Sequence, residues 1–83
     1  MYHIVDVQVL KEYHLKIRFS DGTQGEVNLS NLVGKGVFAA WKDPKNFAKV
    51  SIDPESHTVC WPGGIDLAPD ALYEDVKKKQ KAA

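Results

Sequence analysis

Apolar and polar side chains alternate through three successive runs in the first part of the chain. A period of two is typical of β-strands that bury one face. The predicted inward residues are Val5, Val7 and Val9 in the first run (residues 4–10), Leu15, Ile17 and Phe19 in the second, and Gly25, Val27 and Leu29 in the third (residues 23–29). Between the last two runs, Asp21-Gly22 predicts a hairpin turn, because glycine takes a positive φ without a Cβ penalty. The pattern therefore predicts a three-stranded antiparallel meander.

The alternation then stops, and the next residues predict short helical segments. Ser30 can cap a helical turn over residues 30–32 with its hydroxyl. Good helix formers with two aromatic residues three positions apart predict a second short helix over residues 37–41. That helix should end near Asp43-Pro44, because proline disfavours helical backbone at the residue before it. Phe47 lies just beyond and is expected to pack on the core.

Alternation returns between residues 48 and 61, interrupted by a sequence typical of a turn, Asp53-Pro54-Glu55-Ser56. These residues predict a second hairpin. Its second strand should carry His57, Val59 and Trp61 on one face and Thr58 and Cys60 on the other. The following residues 65–67 are too few for their pattern to decide.

A C-terminal helix is predicted from Pro69 to Lys79. Acidic residues lie early in this segment and lysines late, which matches the helix dipole, and Leu72, Tyr73 and Val76 form its apolar stripe. The expected fold is α+β: an antiparallel sheet made of the meander and the second hairpin, a short helical segment between strands three and four, and this helix. We expect one domain over residues 1–83, with an ordered core at about 2–79 and a frayed tail at 80–83.

Composition is that of an ordinary globular domain, with 43% hydrophobic and 27% charged residues in 83. Eleven basic and eleven acidic residues give a formal net charge of zero, whereas nucleic-acid binders usually have a basic excess. Direct nucleic-acid binding is therefore not expected. The sequence has neither a signal-peptide pattern nor an apolar stretch near the roughly 20 residues that cross a bilayer, so we expect a cytoplasmic protein without membrane contact.

No residue pattern indicates catalysis or metal binding. The histidines, His3, His14 and His57, match no common zinc spacing, so neither a metal nor a cofactor is expected. Cys60 and His57 would point to opposite faces of one strand, which argues against a Cys–His nucleophile. The expectation for Cys60 is a buried, unreactive thiol. No catalytic residue is predicted.

Candidate binding residues lie in the segment from Trp61 to Asp70: Trp61, Gly64, Asp66 and Asp70. Trp61 lies either in an exposed recognition loop, since tryptophan is enriched at binding hot spots, or in the core beside Val59. Asp66 and Asp70 are either acid–base groups or cation ligands next to Trp61, or structural residues. In the structural alternative, Asp66 accepts backbone N–H groups and Asp70 lies at the positive end of the helix.

Several segments carry a family resemblance: residues 19–22 (Phe-Ser-Asp-Gly), 27–29 (Val-Asn-Leu), 36–38 (Gly-Val-Phe), 49–53 (Lys-Val-Ser-Ile-Asp) and 59–73. Together they resemble the domain of unknown function 2442 family over residues 2 to about 76. The resemblance implies a short bacterial protein without an established activity. It also implies a partner, since small members are often encoded beside another uncharacterised protein, as in a toxin–antitoxin-like pair. In some relatives a similar domain precedes a helix-turn-helix DNA-binding domain, and no such domain is expected here.

The sequence thus favours a non-catalytic protein-interaction or regulatory module that binds another protein. The resemblance implies that this protein is one half of a toxin–antitoxin-like pair. The alternative is a small enzyme or ligand-binding domain that uses the segment from Trp61 to Asp70. A third interpretation is nucleic-acid binding through the C-terminal lysines. Neither the partner nor the oligomeric state follows from the residues.

Overall fold

Two small antiparallel sheets, short helices between them and one longer helix make up the protein. A computed structural model describes residues 2–82, with side chains described for residues 2–78. The elements are β1 Ile4–Val9, β2 His14–Phe19, β3 Gln24–Asn28, α1 Pro44–Phe47, β4 Ser51–Ile52, β5 Val59–Trp61, β6 Ile65–Asp66 and α2 Pro69–Ala82. Short 3-10 segments span Lys11–Tyr13, Ser30–Leu32 and Gly36–Lys42. The predicted α+β class is confirmed.

The first sheet has the strand order β1-β2-β3, as the meander prediction requires. Its central strand, β2, buries Leu15, Ile17 and Phe19, the three residues that the alternation assigned to the core. At the turn before β3, Gly22 has a φ of +90°. The carboxylate of Asp21 accepts a hydrogen bond from the backbone N–H of Thr23 at 2.8 Å, which closes the turn.

β1 departs from its predicted pattern. Ile4 is 1% exposed, whereas Val5 and Val9 are 48% and 38% exposed. The pairing with β2 shifts between Ile4 and Asp6, so that Val5 is an extra residue in a β-bulge. The bulge places Ile4 in the core instead of Val5, while Val7 packs half-buried against it. Val9 lies at the edge of the sheet. The prediction that Val5 and Val9 are buried is therefore wrong.

We expect Gly22→Val to lower the free energy of unfolding by about 1–2 kcal/mol, because a β-branched residue tolerates a positive φ poorly. A Cβ at this position would meet nothing within 4 Å, so the cost lies in the backbone alone. Gly22→Asn is the matched control, since asparagine tolerates left-handed backbone better. Urea denaturation of both variants measures the difference. Equal stability of the valine variant and the parent would contradict this account of the turn.

Between the sheets, two helical segments form where predicted, and a third, α1, was not predicted. Ser30 does not cap its turn; its backbone N–H donates instead to the side chain of Asn28 at 2.9 Å. The helix predicted over residues 37–41 is the 3-10 helix Gly36–Lys42. Asp43-Pro44 ends it and also begins α1, with the Asp43 carboxylate accepting the N–H of Lys45 at 3.0 Å. Proline suits the first position of a helix as well as the residue after one.

The second sheet has the order β4-β5-β6, one strand more than the predicted hairpin. β4 is shorter than its pattern suggested. Residues 65–67, which the pattern left undecided, supply β6, where Asp66 pairs with Cys60 and Ile65 with Trp61. The turn before β6 contains Gly63 and Gly64 at φ +92° and +80°, which lets the chain reverse directly after β5.

α2 packs on the first sheet. Leu72 and Val76 are buried and Tyr73 is half-buried, which confirms the apolar stripe. A Cβ on Gly25 would lie only 2.9 Å from a methyl group of Val76, so glycine in β3 allows the helix to lie this close. The backbone of α2 extends to Ala82. Fraying was predicted for residues 80–83. The side chains of residues 80–82 and the whole of residue 83 lie outside the described part of the chain, so fraying stays a prediction.

Candidate functional site

A cluster of aromatic rings joins the second sheet to the helices before it. The ring of Trp61 lies 4.6 Å from that of Trp41 and 5.9 Å from that of Phe47, measured between centroids. Its indole Nε1–H donates to the carbonyl of Phe47 at 2.8 Å, and the residue is 4% exposed. Of the two alternatives for Trp61, the structure therefore supports the core position.

A cleft of about 300 Å³ opens beside these rings, lined in part by Ala40, Lys49, Pro62 and Ile65. Lys49 is the only charged residue of its lining and makes no ion pair with the described residues. Trp41 also borders the cleft, and its buried indole Nε1–H has no hydrogen-bond partner in the described part of the chain. The cleft thus combines aromatic walls with one cation.

The other candidate residues do not converge on this cleft. Gly64 lies in the β5–β6 turn, and Asp66 is exposed on β6. Asp70 lies in the first turn of α2, as the structural alternative expected, and its carboxylate accepts the N–H of Ala71 at 3.0 Å. Only Trp61 of the four candidates lines the cleft. The structure therefore does not assemble them into one site.

Thr58, which the sequence did not single out, satisfies a backbone carbonyl in the segment where Asp66 was considered as an acceptor of backbone N–H groups. Its hydroxyl is buried and donates to the carbonyl of Leu67 at 2.6 Å. Asp66 makes no hydrogen bond through its side chain in the described residues. The sequence shows Thr58 as a hydroxyl residue within an apolar strand, which could have marked it as a buried hydrogen-bond donor. Its partner, the carbonyl of Leu67, lies nine residues away and is brought close only by the pairing of the sheet.

Thr58→Val and Asp66→Ala should therefore differ in their effect on stability. Loss of the hydroxyl leaves the half-buried Leu67 carbonyl without this partner, and Thr58→Val should cost about 1–3 kcal/mol. Asp66→Ala should change the free energy of unfolding by less than about 0.5 kcal/mol, as is usual for an exposed residue without partners. Chemical denaturation of the two variants provides the comparison. A larger loss for Asp66→Ala would restore the cap interpretation.

A second polar cluster joins the first hairpin turn to α2. The hydroxyl of Tyr73 donates to the carboxylate of Asp21 at 2.6 Å, and Thr23 lies 3.3 Å from the same hydroxyl. The hydrogen bond from Tyr73 holds the pKa of Asp21 below its ordinary value, with further lowering by Thr23 and by the charge of Lys77. Tyr2 stacks on Tyr73 with ring centroids 4.3 Å apart. These contacts are structural links between elements distant in sequence.

The lowered pKa of Asp21 predicts a pH dependence of stability. Its contribution is fully present above the unfolded-state pKa, about 3.9, and is lost as the pH falls through the lower pKa of the folded state. We expect the melting temperature of the parent to fall more steeply than that of Tyr73→Phe below about pH 5. Thermal melts of both proteins across this range test it, and parallel curves would contradict it.

Within residues 2–78, the remaining reactive side chains form no recognisable centre. Cys60, expected to be buried, is half-buried, and its Sγ lies 3.5 Å from the hydroxyl of Ser51. The rings of His3 and His57 stack with centroids 4.2 Å apart. Among residues that the structure describes, no group of three or more His, Cys, Asp or Glu side chains could hold a metal ion.

The outer edge of β1 is an unpaired strand edge. β1 is a terminal strand of its sheet, and no other described strand pairs with its outer side. The turn before β5 touches this side at Ile4, whose N–H donates to the carbonyl of His57 at 2.8 Å, and β4 lies against β1. Beyond that point, Val5 and Val9 are exposed. The alternation could not indicate this edge, because it does not reveal which strand is terminal.

Comparison with known proteins adds one finding. A family model described as "Protein of unknown function (DUF2442)" matches residues 4–78. The chain belongs to this family. The DUF2442 match begins at the first residue of β1 and ends within α2, so it includes both the β1 edge and the cleft. No curated protein and no solved structure matches the chain significantly. In the part of the chain that the structure describes, no helix is long and apolar enough to span a membrane.

Proposed function

We propose that this protein is a non-catalytic interaction module that binds another protein chain by strand addition to β1. The observation that carries the proposal is the unpaired edge of β1 with two exposed valines. In strand addition, the backbone N–H and C=O groups of an edge supply affinity, and the adjacent side chains supply specificity. An unpaired strand edge is a ready template for such pairing.

β1 has few of the features that protect an edge strand. Proteins protect such edges with lysine or other charges, with proline or with bulges, or keep the strand very short. β1 has six residues, Ile-Val-Asp-Val-Gln-Val, without proline or a basic residue and with Asp6 as its only charge. The bulge at Val5 twists one end of the strand, but Val7 and Val9 follow it in regular pairing with β2. The edge therefore suits a partner strand.

The family resemblance supports one class of partner. A protein of another family encoded beside this one, as in a toxin–antitoxin-like pair, is the partner that the resemblance implies. Co-expression of this neighbour with the tagged parent, Val9→Lys and Val37→Lys proteins tests the proposal. Val37 is 68% exposed and lies outside β1, so Val37→Lys adds the same charge away from the edge. We expect Val9→Lys alone to lose the partner; retention by both variants would contradict strand addition.

A second candidate function is binding of a small planar anion in the cleft beside Trp61. Aromatic walls with one well-placed polar group are typical of ligand sites, and about 300 Å³ lies at the lower end of their size range. Lys49 supplies the cation that would attract a carboxylate. Titration with indole-3-carboxylate should then shift the two indole N–H resonances in NMR spectra of the parent and fail to do so in Lys49→Met. Unchanged parent spectra would exclude this class of ligand.

A further inference from the structure

We infer that, when the partner of the proposed strand addition is absent, a second copy of this protein takes its place on β1, paired antiparallel through its own β1 with the two-fold axis at Val7. The inference rests on the proposed strand addition and names the chain that competes with its partner. In this register Val7 faces Val7 of the second copy and Asp6 faces Gln8. The two meanders then form one six-stranded sheet with β1 of each copy at its centre.

The backbone of β1 points the required groups outward. Leu10 donates its N–H to the carbonyl of His14 at 2.9 Å, so Leu10 faces β2. Residues that face the same neighbour recur every second position in an antiparallel ladder. The N–H and C=O groups of Val7 and Val9 therefore face away from β2. Two copies of Val7 can exchange both backbone hydrogen bonds across the axis.

Charges on the solvent face of the sheet favour this register. Within one copy, Asp6 pairs with Arg18 and Gln8 with Lys16. In the proposed dimer, each row of paired side chains across the strands continues from one copy into the other. A row then contains Gln24, Arg18 and Asp6 of one copy followed by Gln8, Lys16 and Glu26 of the other. No two like charges are adjacent in these rows. A register centred on Asp6 would instead place two carboxylates opposite each other, which destabilises a sheet.

The end of the free edge fits the same arrangement. Val9 lies on the same face of the sheet as Val7, whereas the bulge turns Val5 toward the opposite face, so the valines that share one face across the axis are Val7 and Val9 of each copy. His57 occupies the edge at Ile4, which confines the new ladder to residues 5–9. A two-fold interface of this kind is self-complementary and closed, so it gives a dimer and leaves no free β1 edge.

Sedimentation velocity over a concentration series tests the dimer. The purified parent should approach twice its 9.3 kDa mass as concentration rises. Val9→Lys should stay monomeric at concentrations where Val37→Lys dimerises like the parent, with both variants keeping the melting temperature of the parent.

A second measurement tests the register. In a Cys60→Ala background, Val7→Cys should form a disulfide-linked dimer on oxidation, because facing residues have Cα atoms about 5.5 Å apart. Asp6→Cys should not.

The outcomes separate this inference from the proposed function. A parent that stays monomeric at every concentration but binds the neighbouring protein through Val9 overturns the second-copy inference and leaves strand addition standing. Self-association that Val9→Lys does not weaken overturns the β1 interface for the dimer. Loss of association in Val9→Lys with efficient cross-linking through Val7→Cys supports both the interface and its register.

Discussion

Replacing Trp61 with alanine should lower the free energy of unfolding by about 3–5 kcal/mol, the range for large aromatic residues removed from a core. The indole packs against Trp41 and Phe47 at the junction of the second sheet and the helices. Its loss would leave a cavity there and would also leave the carbonyl of Phe47 without its hydrogen bond. Since small domains are stable by only about 5–15 kcal/mol, this variant should be partly unfolded at moderate temperature.

Trp61→Phe separates the two contributions. It keeps most of the apolar ring but removes the indole N–H, so it should lose about 1–3 kcal/mol through the unpaired carbonyl together with some lost packing. Val37→Ala serves as the control, because this exposed side chain should change stability by less than about 0.5 kcal/mol. Urea denaturation followed by circular dichroism measures all three variants. A Trp61→Ala protein as stable as the parent would return the residue to an exposed recognition loop.

Gly25→Ala, which adds a single methyl group, should lower the free energy of unfolding by about 1–3 kcal/mol, the usual cost of overpacking. The new Cβ would lie 2.9 Å from a methyl group of Val76, closer than side chains tolerate, so α2 must shift away from β3. Gly25 is the one glycine of the first sheet's strands, and its φ is not positive. Steric conflict, not backbone conformation, is therefore the cause of the expected loss.

A double-mutant cycle isolates this contact. Val76→Ala removes the methyl group that meets the new Cβ, so the Gly25→Ala/Val76→Ala protein should be more stable than the sum of the two single losses indicates. Residues in direct contact typically show coupling energies of 0.5–3 kcal/mol. Denaturation midpoints and slopes of the four proteins supply the cycle. Additive losses would show that the helix does not approach β3 at this point.

The parts of the fold that the sequence could predict depend on local patterns. The alternation in β2, the glycine of the first hairpin turn and the apolar stripe of α2 each lie within a few consecutive residues. The sequence patterns gave wrong or no expectations where contacts between residues distant in sequence determine burial or strand formation. One inserted residue at Val5 moved Ile4 into the core, and the two residues of β6 became a strand only because β5 lies beside them.

The same distinction applies to the candidate sites. Trp61 and Asp66 lie five residues apart in a motif-like segment, yet one is buried among aromatic rings and the other faces solvent. The cleft combines Trp41, Lys49 and Trp61, which no spacing rule connects. The edge of β1 depends on strand order. A sequence pattern shows which residues share a face, but only the assembled sheets show which faces and edges stay uncovered.

The hydrogen bond between Asp21 and Tyr73 also bears on the order in which the chain folds during synthesis. These residues are 52 positions apart, and the first of them closes the hairpin between β2 and β3. Closing so long a loop has a larger entropic cost than closing a local hairpin. The strands of the meander are therefore synthesised before α2, and their apolar face stays uncovered until the residues of α2 have been made. A nascent chain that stops before Tyr73 has all three strands of the first sheet but not the helix anchor that completes it.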